Sequence, residues 1–311
     1  VPKNLTSTNP TYPRASRYFE AVEELALTLD DLRFSALAEG PIDGPLVLLA
    51  HGFPDSRATW QYLMGPLAGA GYRAVALAMR GYAPSEIPSG TPPEPARLGL
   101  DLLGLGRLLS ADQPFSLIGH DWGAIASYAA AQIDPSALRS LVTMAVPPLP
   151  AVLHAMEDPR QLDRSWYLFA FQDENYEFEV QRDDFALIRR LWSDWSPGLD
   201  APQELGAAID ALREPARTTA ALDYYRVMLD PARRDPAMAE NATRLIDPIV
   251  VPTLYLHGGV DGCMGLDAIG EVAPWLPEGS AVEILKDAGH FLHLEEPARV
   301  AQLVLSFLAA H

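Results

Sequence analysis

The 311-residue chain has one cysteine, Cys263, so no disulfide can close within it. It has no run approaching the roughly 18 apolar residues of a membrane-spanning helix, yet 49% of its residues are hydrophobic. A soluble globular chain with no membrane insertion is therefore expected. Basic residues are in deficit: 23 Lys and Arg stand against 41 Asp and Glu, a formal charge of −18. Such a chain repels polyanions, which argues against a nucleic-acid partner. Residues 1–17 are polar and carry prolines. They lack a basic start, an apolar segment and a cleavage pattern, so a cytoplasmic location without a secretory signal is expected. No Cys or His cluster has metal-ligand spacing, so neither a metal nor an organic cofactor is expected. Internal repeats and low-complexity linkers are also missing. Nothing in the residues fixes the oligomeric state; a homodimer is compatible with them.

What is present is an alternation of strand-like and helical segments, the pattern of an α/β fold around a largely parallel sheet. Ala21 to Leu29 and Leu32 to Ala38 read as a hairpin around Asp30-Asp31. Further strands are expected at Leu46 to Ala50, Arg73 to Ala78, Phe115 to Ile118, Ser140 to Ala145, Thr253 to His257 and Ala281 to Leu285, with a closing amphipathic helix at Ala298 to Ala310. From Pro147 to Arg244 the rhythm breaks. That stretch is rich in aromatic and charged residues, lacks a convincing strand, and is punctuated by Pro159, Pro197, Pro202, Pro215, Pro231 and Pro236. The expected organisation is a core of residues 1–146 and 245–311 with an all-helical cap, 147–244, inserted between them.

Gly119-His120-Asp121-Trp122-Gly123 joins the expected strand Phe115 to Ile118 to an alanine-rich helix, Trp122 to Ile133. A strand-to-helix elbow of the G-x-S-x-G type presents a serine at its centre; here Asp121 holds that position. A carboxylate attacking a saturated carbon forms an ester whose only carbonyl belongs to the enzyme, so the second step is water attacking Asp121 itself. Aspartate between glycines is also common in ordinary turns and helix caps.

A base for that water and a group to orient it follow in the order nucleophile, acid, histidine. Asp261 lies in a glycine-flanked loop after the strand ending near His257, and His290 follows the strand ending near Leu285. His293 is close enough to compete, but Gly289 allows a sharp turn just before His290 and favours it. His51-Gly52-Phe53-Pro54 directly follows Leu46 to Ala50, so the amides of Phe53 and Trp122 are candidates for an oxyanion hole.

On these motifs, together with Arg80-Gly81-Tyr82, nearly all of the chain after about Tyr18 resembles the epoxide hydrolases of the α/β-hydrolase fold. The resemblance implies two cap tyrosines that bind the epoxide oxygen and protonate it. Tyr167, with Phe171 and Gln172, matches the first pattern; Tyr225, with Tyr224 before it and Arg226 after it, matches the second. The continuation Ala83-Pro84-Ser85 departs from the family, which more often has a further glycine there. Phenols also suit the chemistry on their own terms: at a pKa of about 10 they are protonated at neutral pH, yet far more acidic than the alcohol formed from an alkoxide. Phe53, Trp122, Phe169, Trp192 and Phe291 are candidate lining residues for an apolar epoxide. Two alternatives remain. A haloalkane or haloacid dehalogenase would use the same Asp121, His290 and Asp261 but hold halide with indole NH groups, for which Trp122, Trp166, Trp192 and Trp195 are candidates. A non-catalytic ligand-binding homologue would have an eroded triad, and none of the three residues is lost.

Overall fold

A computed structural model describes residues 22–311; Ala21, the expected start of the first strand, lies outside them. Eight strands form one sheet: β1 (Glu23–Leu29), β2 (Leu32–Glu39), β3 (Leu46–Ala50), β4 (Arg73–Leu77), β5 (Phe115–His120), β6 (Leu138–Met144), β7 (Thr253–Gly258) and β8 (Ala281–Leu285). Their order is β1-β2-β4-β3-β5-β6-β7-β8. The β1-β2 and β2-β4 pairs are antiparallel and the others parallel. Asp30 and Asp31 close the hairpin with φ of 48° and 64°, the two positive values that a type I′ turn needs and that short acidic side chains tolerate.

Successive residues of β3 serve opposite faces of the sheet, because strand side chains alternate. Leu46, Leu48 and Ala50 enter the core beneath helices α2 (Pro95–Ser110) and α3 (Trp122–Ile133). Val47 and Leu49 enter the core beneath α1 (Gln61–Gly69) and the closing helix, Pro297–Leu308. Both faces are covered, which explains why these strands are continuous apolar runs.

Between β6 and β7 the described chain is all helical: α4 (Leu149–Ala155), α5 (Pro159–Arg164), α6 (Trp166–Ala170), α7 (Tyr176–Trp195), α8 (Pro202–Leu212), α9 (Pro215–Leu229) and α10 (Ala239–Arg244), with short 3₁₀ turns before α10. Pro159, Pro202 and Pro215 open their helices, where a missing backbone NH costs nothing. Helix α7 is broken at Arg182 to Phe185, three of whose residues have positive φ. The last helix of the insertion belongs to the core face: Arg244 donates to the Ile133 carbonyl, and Gln132 of α3 to those of Leu245 and Asp247. Among the described residues no helix is long and apolar enough to cross a membrane.

Candidate active site

The parallel strands deliver their following loops to one edge of the sheet, where ligands bind in open α/β folds. Strand β5 is followed directly by Asp121, whose backbone stands at φ 51°, ψ −118°, a conformation that few non-glycine residues adopt. Its amide is held by the Met144 carbonyl at 3.2 Å, and its own carbonyl caps α3 through Ala124 and Ile125. The elbow is crowded. A Cβ on Gly123 would strike the Ala50 carbonyl, and one on Gly52 would strike the Asp121 carboxylate. That close crossing lets the Phe53 amide donate to Asp121 Oδ1 at 2.8 Å. Trp122 opens α3, so its NH is among the first-turn amides without an intrahelical acceptor. His51 shapes the same loop: Nδ1 donates to the Gly52 carbonyl at 2.9 Å and Nε2 accepts from the Met79 amide at 3.1 Å. Burial pushes its pKa down to about 4, which keeps the ring neutral for both roles.

His290 lies between two carboxylates. Its Nδ1 donates to Asp261 Oδ2 at 3.0 Å, and its Nε2 stands 3.7 Å from Asp121 Oδ2, beyond hydrogen-bond distance. Burial opposes charge on the imidazole, but the two carboxylates outweigh it and carry the pKa up to about 10. Burial would likewise raise the Asp261 carboxyl; the facing His290 and the backbone NH groups that Oδ1 accepts, from Cys263 at 2.7 Å and Met264 at 3.0 Å, keep it low. The cap joins this loop to the histidine loop: the Trp195 carbonyl accepts from both Gly262 and His290 amides at 3.0 Å. Gly289 is needed for that approach rather than for a turn. Its φ is not positive, and a Cβ there would come within 2.6 Å of the Ser196 backbone.

His293 faces elsewhere. Its Nε2 meets Thr59 Oγ1 at 2.5 Å and its ring stacks on Trp60. Behind the triad it forms a buried polar group with Asp55 and His120. His120 Nε2 donates to the His290 carbonyl at 2.9 Å, which leaves Nδ1 with a lone pair. Asp55 Oδ2, His120 Nδ1, His293 Nδ1 and Trp60 Nε1 have no partner among the described residues. Asp55, His120 and His293 bring ligand atoms within 4.8 Å of one another, as do Asp261, Cys263 and His290. Burial pushes the Asp55 carboxyl up to about 8, His120 down to about 3 and His293 well below ordinary histidine. Burial thus disfavours charge on every member of the first trio. The sequence reading missed it because its members come from three separate motifs.

The cap supplies the facing wall. Tyr167 and Tyr225 are buried, their rings 5.7 Å apart and edge to face. Tyr225 packs on Phe53 at 5.3 Å and Trp122 at 5.2 Å, directly over the elbow. Desolvation first, then Cys263 and Asp121 beside Tyr167 and Asp121 beside Tyr225, hold both phenols well above the ordinary tyrosine range, so both are protonated. Tyr167 Oη lies 3.3 Å from Cys263 Sγ; Tyr225 Oη has no partner among the described residues. Tyr224 points away, as successive helical residues must. Its hydroxyl donates to the Arg80 carbonyl at 2.9 Å, and Arg80 is itself fixed by Asp101 at 2.5 and 2.8 Å. The Arg80 loop closes through Gly81 onto the Glu86 carbonyl, and Ser85 donates to Ala78.

The residues beside the tyrosines clamp one helix to the other. Arg226 Nε donates to the Phe171 carbonyl at 3.0 Å, and its Nη2 donates to both the Asp173 carbonyl and Glu177. Gln172 donates to the Tyr225 carbonyl at 3.1 Å. Two of the expected lining residues have other surroundings as well. Phe169 is 57% exposed on the outer side of α6; Phe171 packs inward instead, on Phe53 and Tyr225. Trp192 spends its indole NH on the Pro54 carbonyl at 2.8 Å and stacks on Phe291. Phe291 in turn meets the edge of His290. Trp195, three residues on, lies against both His290 and Tyr167 at 5.1 Å. A groove of about 590 Å³ runs past the outer side of Tyr224, between Ile87 to Pro93 and α9.

Comparison with known proteins places this geometry. The family described as alpha/beta hydrolase fold matches residues 45–297. Epoxide hydrolase A of Mycobacterium tuberculosis (strain ATCC 25618 / H37Rv) is 29% identical over an alignment covering 93% of this chain and 98% of that protein. The AB hydrolase superfamily protein YfhM of Bacillus subtilis (strain 168) is also 29% identical, with 87% and 92% covered. Among solved structures, epoxide hydrolase A from Mycobacterium thermoresistibile superposes with a TM-score of 0.77 at 25% identity, covering 93% of this chain and 98% of that one.

Proposed function

Because the chain belongs to the alpha/beta hydrolase fold family, we propose that it is an epoxide hydrolase, converting an apolar epoxide and water to a vicinal diol through an ester on Asp121. The observation that carries this reading is the pair of buried, protonated phenols of Tyr167 and Tyr225 facing a strained aspartate rather than a serine. The names of its relatives at 25 to 29% identity support it.

In this mechanism the Tyr167 and Tyr225 hydroxyls hold the ring oxygen. Asp121 attacks a ring carbon through the oxygen not engaged by Phe53, the C–O bond breaks, and a phenol protonates the departing oxygen. Ester formation removes the negative charge 3.7 Å from His290 Nε2. The pKa of His290 then falls from its resting value, the ring releases the proton it carries on Nε2, and the neutral ring can accept one from water with Asp261 still holding Nδ1. Water attacks the carbonyl carbon of the Asp121 ester, and the Phe53 amide, already aimed at that carboxyl, stabilises the oxyanion with the Trp122 amide. No step calls on a metal or an organic cofactor.

Halide departure needs no proton donor, so a dehalogenase gives the two phenols no role. One of its candidate donors, the Trp192 indole NH, is already bonded to Pro54. A turnover screen with epoxides and haloalkanes of matched carbon skeleton tests the choice: diol from the epoxides alone is expected, and halide release without diol formation would reverse it.

A further inference from the structure

The two phenols are not equivalent. Tyr225 Oη is buried and has no partner among the described residues, which leaves it free to bond a substrate oxygen. Tyr167 Oη has the thiol of Cys263 at 3.3 Å. That thiol is 1% exposed and firmly placed. The Cys263 amide donates to Asp261 Oδ1 at 2.7 Å, and its carbonyl accepts from Gln161 of cap helix α5 at 2.8 Å. Gln161 also accepts from the Gly265 amide at 2.9 Å, so the cap grips the loop on both sides of the thiol. One short loop therefore serves both steps of the proposed reaction, orienting the base through Asp261 and reaching the ring-opening phenol through Cys263.

A phenol that gives up its proton inside a protein leaves a phenolate, and a buried anion without a hydrogen-bond donor is costly. Tyr225 has no such donor among the described residues. Tyr167 has one, because a thiol that burial keeps protonated presents S–H.

Resting on the epoxide reading, we propose that Cys263 is a positioning residue that makes Tyr167 the proton donor of ring opening, with Tyr225 holding the ring oxygen. Before substrate enters, Tyr167 O–H donates to Sγ. With the epoxide bound, the phenol turns its proton to the ring oxygen, and the thiol reverses to donate S–H to Tyr167 Oη. As the bond from Asp121 to carbon forms and the ring C–O bond breaks, the Tyr167 proton moves to the departing oxygen. The phenolate accepts from the thiol, which keeps its own proton. Once the ester has removed the Asp121 charge, His290 gives its resting proton back to the Tyr167 phenolate; hydrolysis of the ester then transfers one water proton to the neutral His290 and restores the resting state, so one epoxide and one water give one diol.

The test is the pre-steady-state rate of Asp121 ester formation in a double-mutant cycle on the full chain. Cys263→Ala should slow ester formation about fivefold to tenfold, the span of one modest hydrogen bond, while leaving KM nearly unchanged. Cys263→Ser keeps a donor at the same place and should restore the rate. In a Tyr167→Phe background Cys263→Ala should add nothing, whereas in a Tyr225→Phe background its effect should persist in full. An unchanged rate in Cys263→Ala, an equal loss in both backgrounds, or a serine variant as slow as alanine would overturn the inference while the epoxide reading stood. Failure of the unmutated protein to form an ester with any epoxide would overturn both. If the alanine variant does not fold, Cys263→Val, which fills the space of the thiol but carries no donor, takes its place in the two phenylalanine backgrounds: an effect confined to the Tyr225→Phe background supports the inference, and any other pattern rejects it.

Discussion

The core and cap halves of this site hold their reactive groups by different physical means. On the core side, Asp121, Asp261 and His290 sit in loops at the ends of parallel strands, fixed by backbone strain and backbone amides. On the cap side, Tyr167 and Tyr225 sit on two helices, fixed by what their neighbours do: Arg226 and Gln172 tie each helix to the other's carbonyls. A core group is thus defined by the geometry of its own turn, and a cap group by contacts between two segments. Loss of a core group should therefore stop a chemical step outright, and loss of a cap contact should degrade it by degrees.

The largest effect that sharpens this contrast is expected at the nucleophile. Asp121→Asn should lower diol formation by on the order of 10⁴-fold or more, the scale of losing a covalent catalyst from a unit that acts together; steady-state turnover measures it. His290→Gln should separate the two steps. Ester formation should survive and hydrolysis stall, so intact-protein mass spectrometry should detect an adduct of substrate mass. Normal turnover in that variant, with failure in His293→Gln, would move the base to the other histidine.

On the cap side, Tyr167→Phe or Tyr225→Phe should slow ester formation by about two to three decades, the usual loss of a hydrogen bond that strengthens in the transition state. The double change should nearly abolish it, and an undiminished rate there would break the assignment of the acid to the cap. A smaller loss, with its own signature, is expected from Arg226→Met: both tyrosines remain but their clamp does not, so kcat falls and the thermal midpoint drops. Smallest is Tyr224→Phe, whose hydroxyl holds Arg80 rather than substrate.

Histidine titration gives the contrast a pH axis. His290 has a folded-state pKa near 10, raised from an ordinary 6.5. It therefore stabilises the fold fully below pH about 6.5, and this contribution is lost as pH rises through about 10. Thermal midpoints should fall across that interval, and the slope should lessen in His290→Gln. A pH profile of ester hydrolysis should give an apparent pKa below the resting one, since the Asp121 charge is then gone.

The same contrast explains what was legible in the sequence. The strand-following motifs could be read because each turn demands particular residues where it is: Gly123 and Gly52 leave room for the Asp121 elbow, and the strand ends at β3, β5, β7 and β8 set the order of the loops. The cap yielded less. Phe169 was expected to line the site, yet it lies two residues from Tyr167, about 200° around a helix, and faces out; Phe171, four residues on, faces in. Gly289 suggested a turn, and its real constraint is the cap backbone passing against it. The Trp192 NH bonded to Pro54, the Cys263 thiol at Tyr167 and the polar group of Asp55, His120 and His293 all depend on segments brought together only by folding.

The central claim is that Asp121 forms a covalent ester, and the most direct measurement is a single turnover of epoxide by excess enzyme in heavy-oxygen water. The first diol should carry ordinary oxygen taken from Asp121, with one heavy oxygen left in the Asp121 side chain. Heavy oxygen in that first diol, and none in the protein, would mean direct attack by water and would contradict the account.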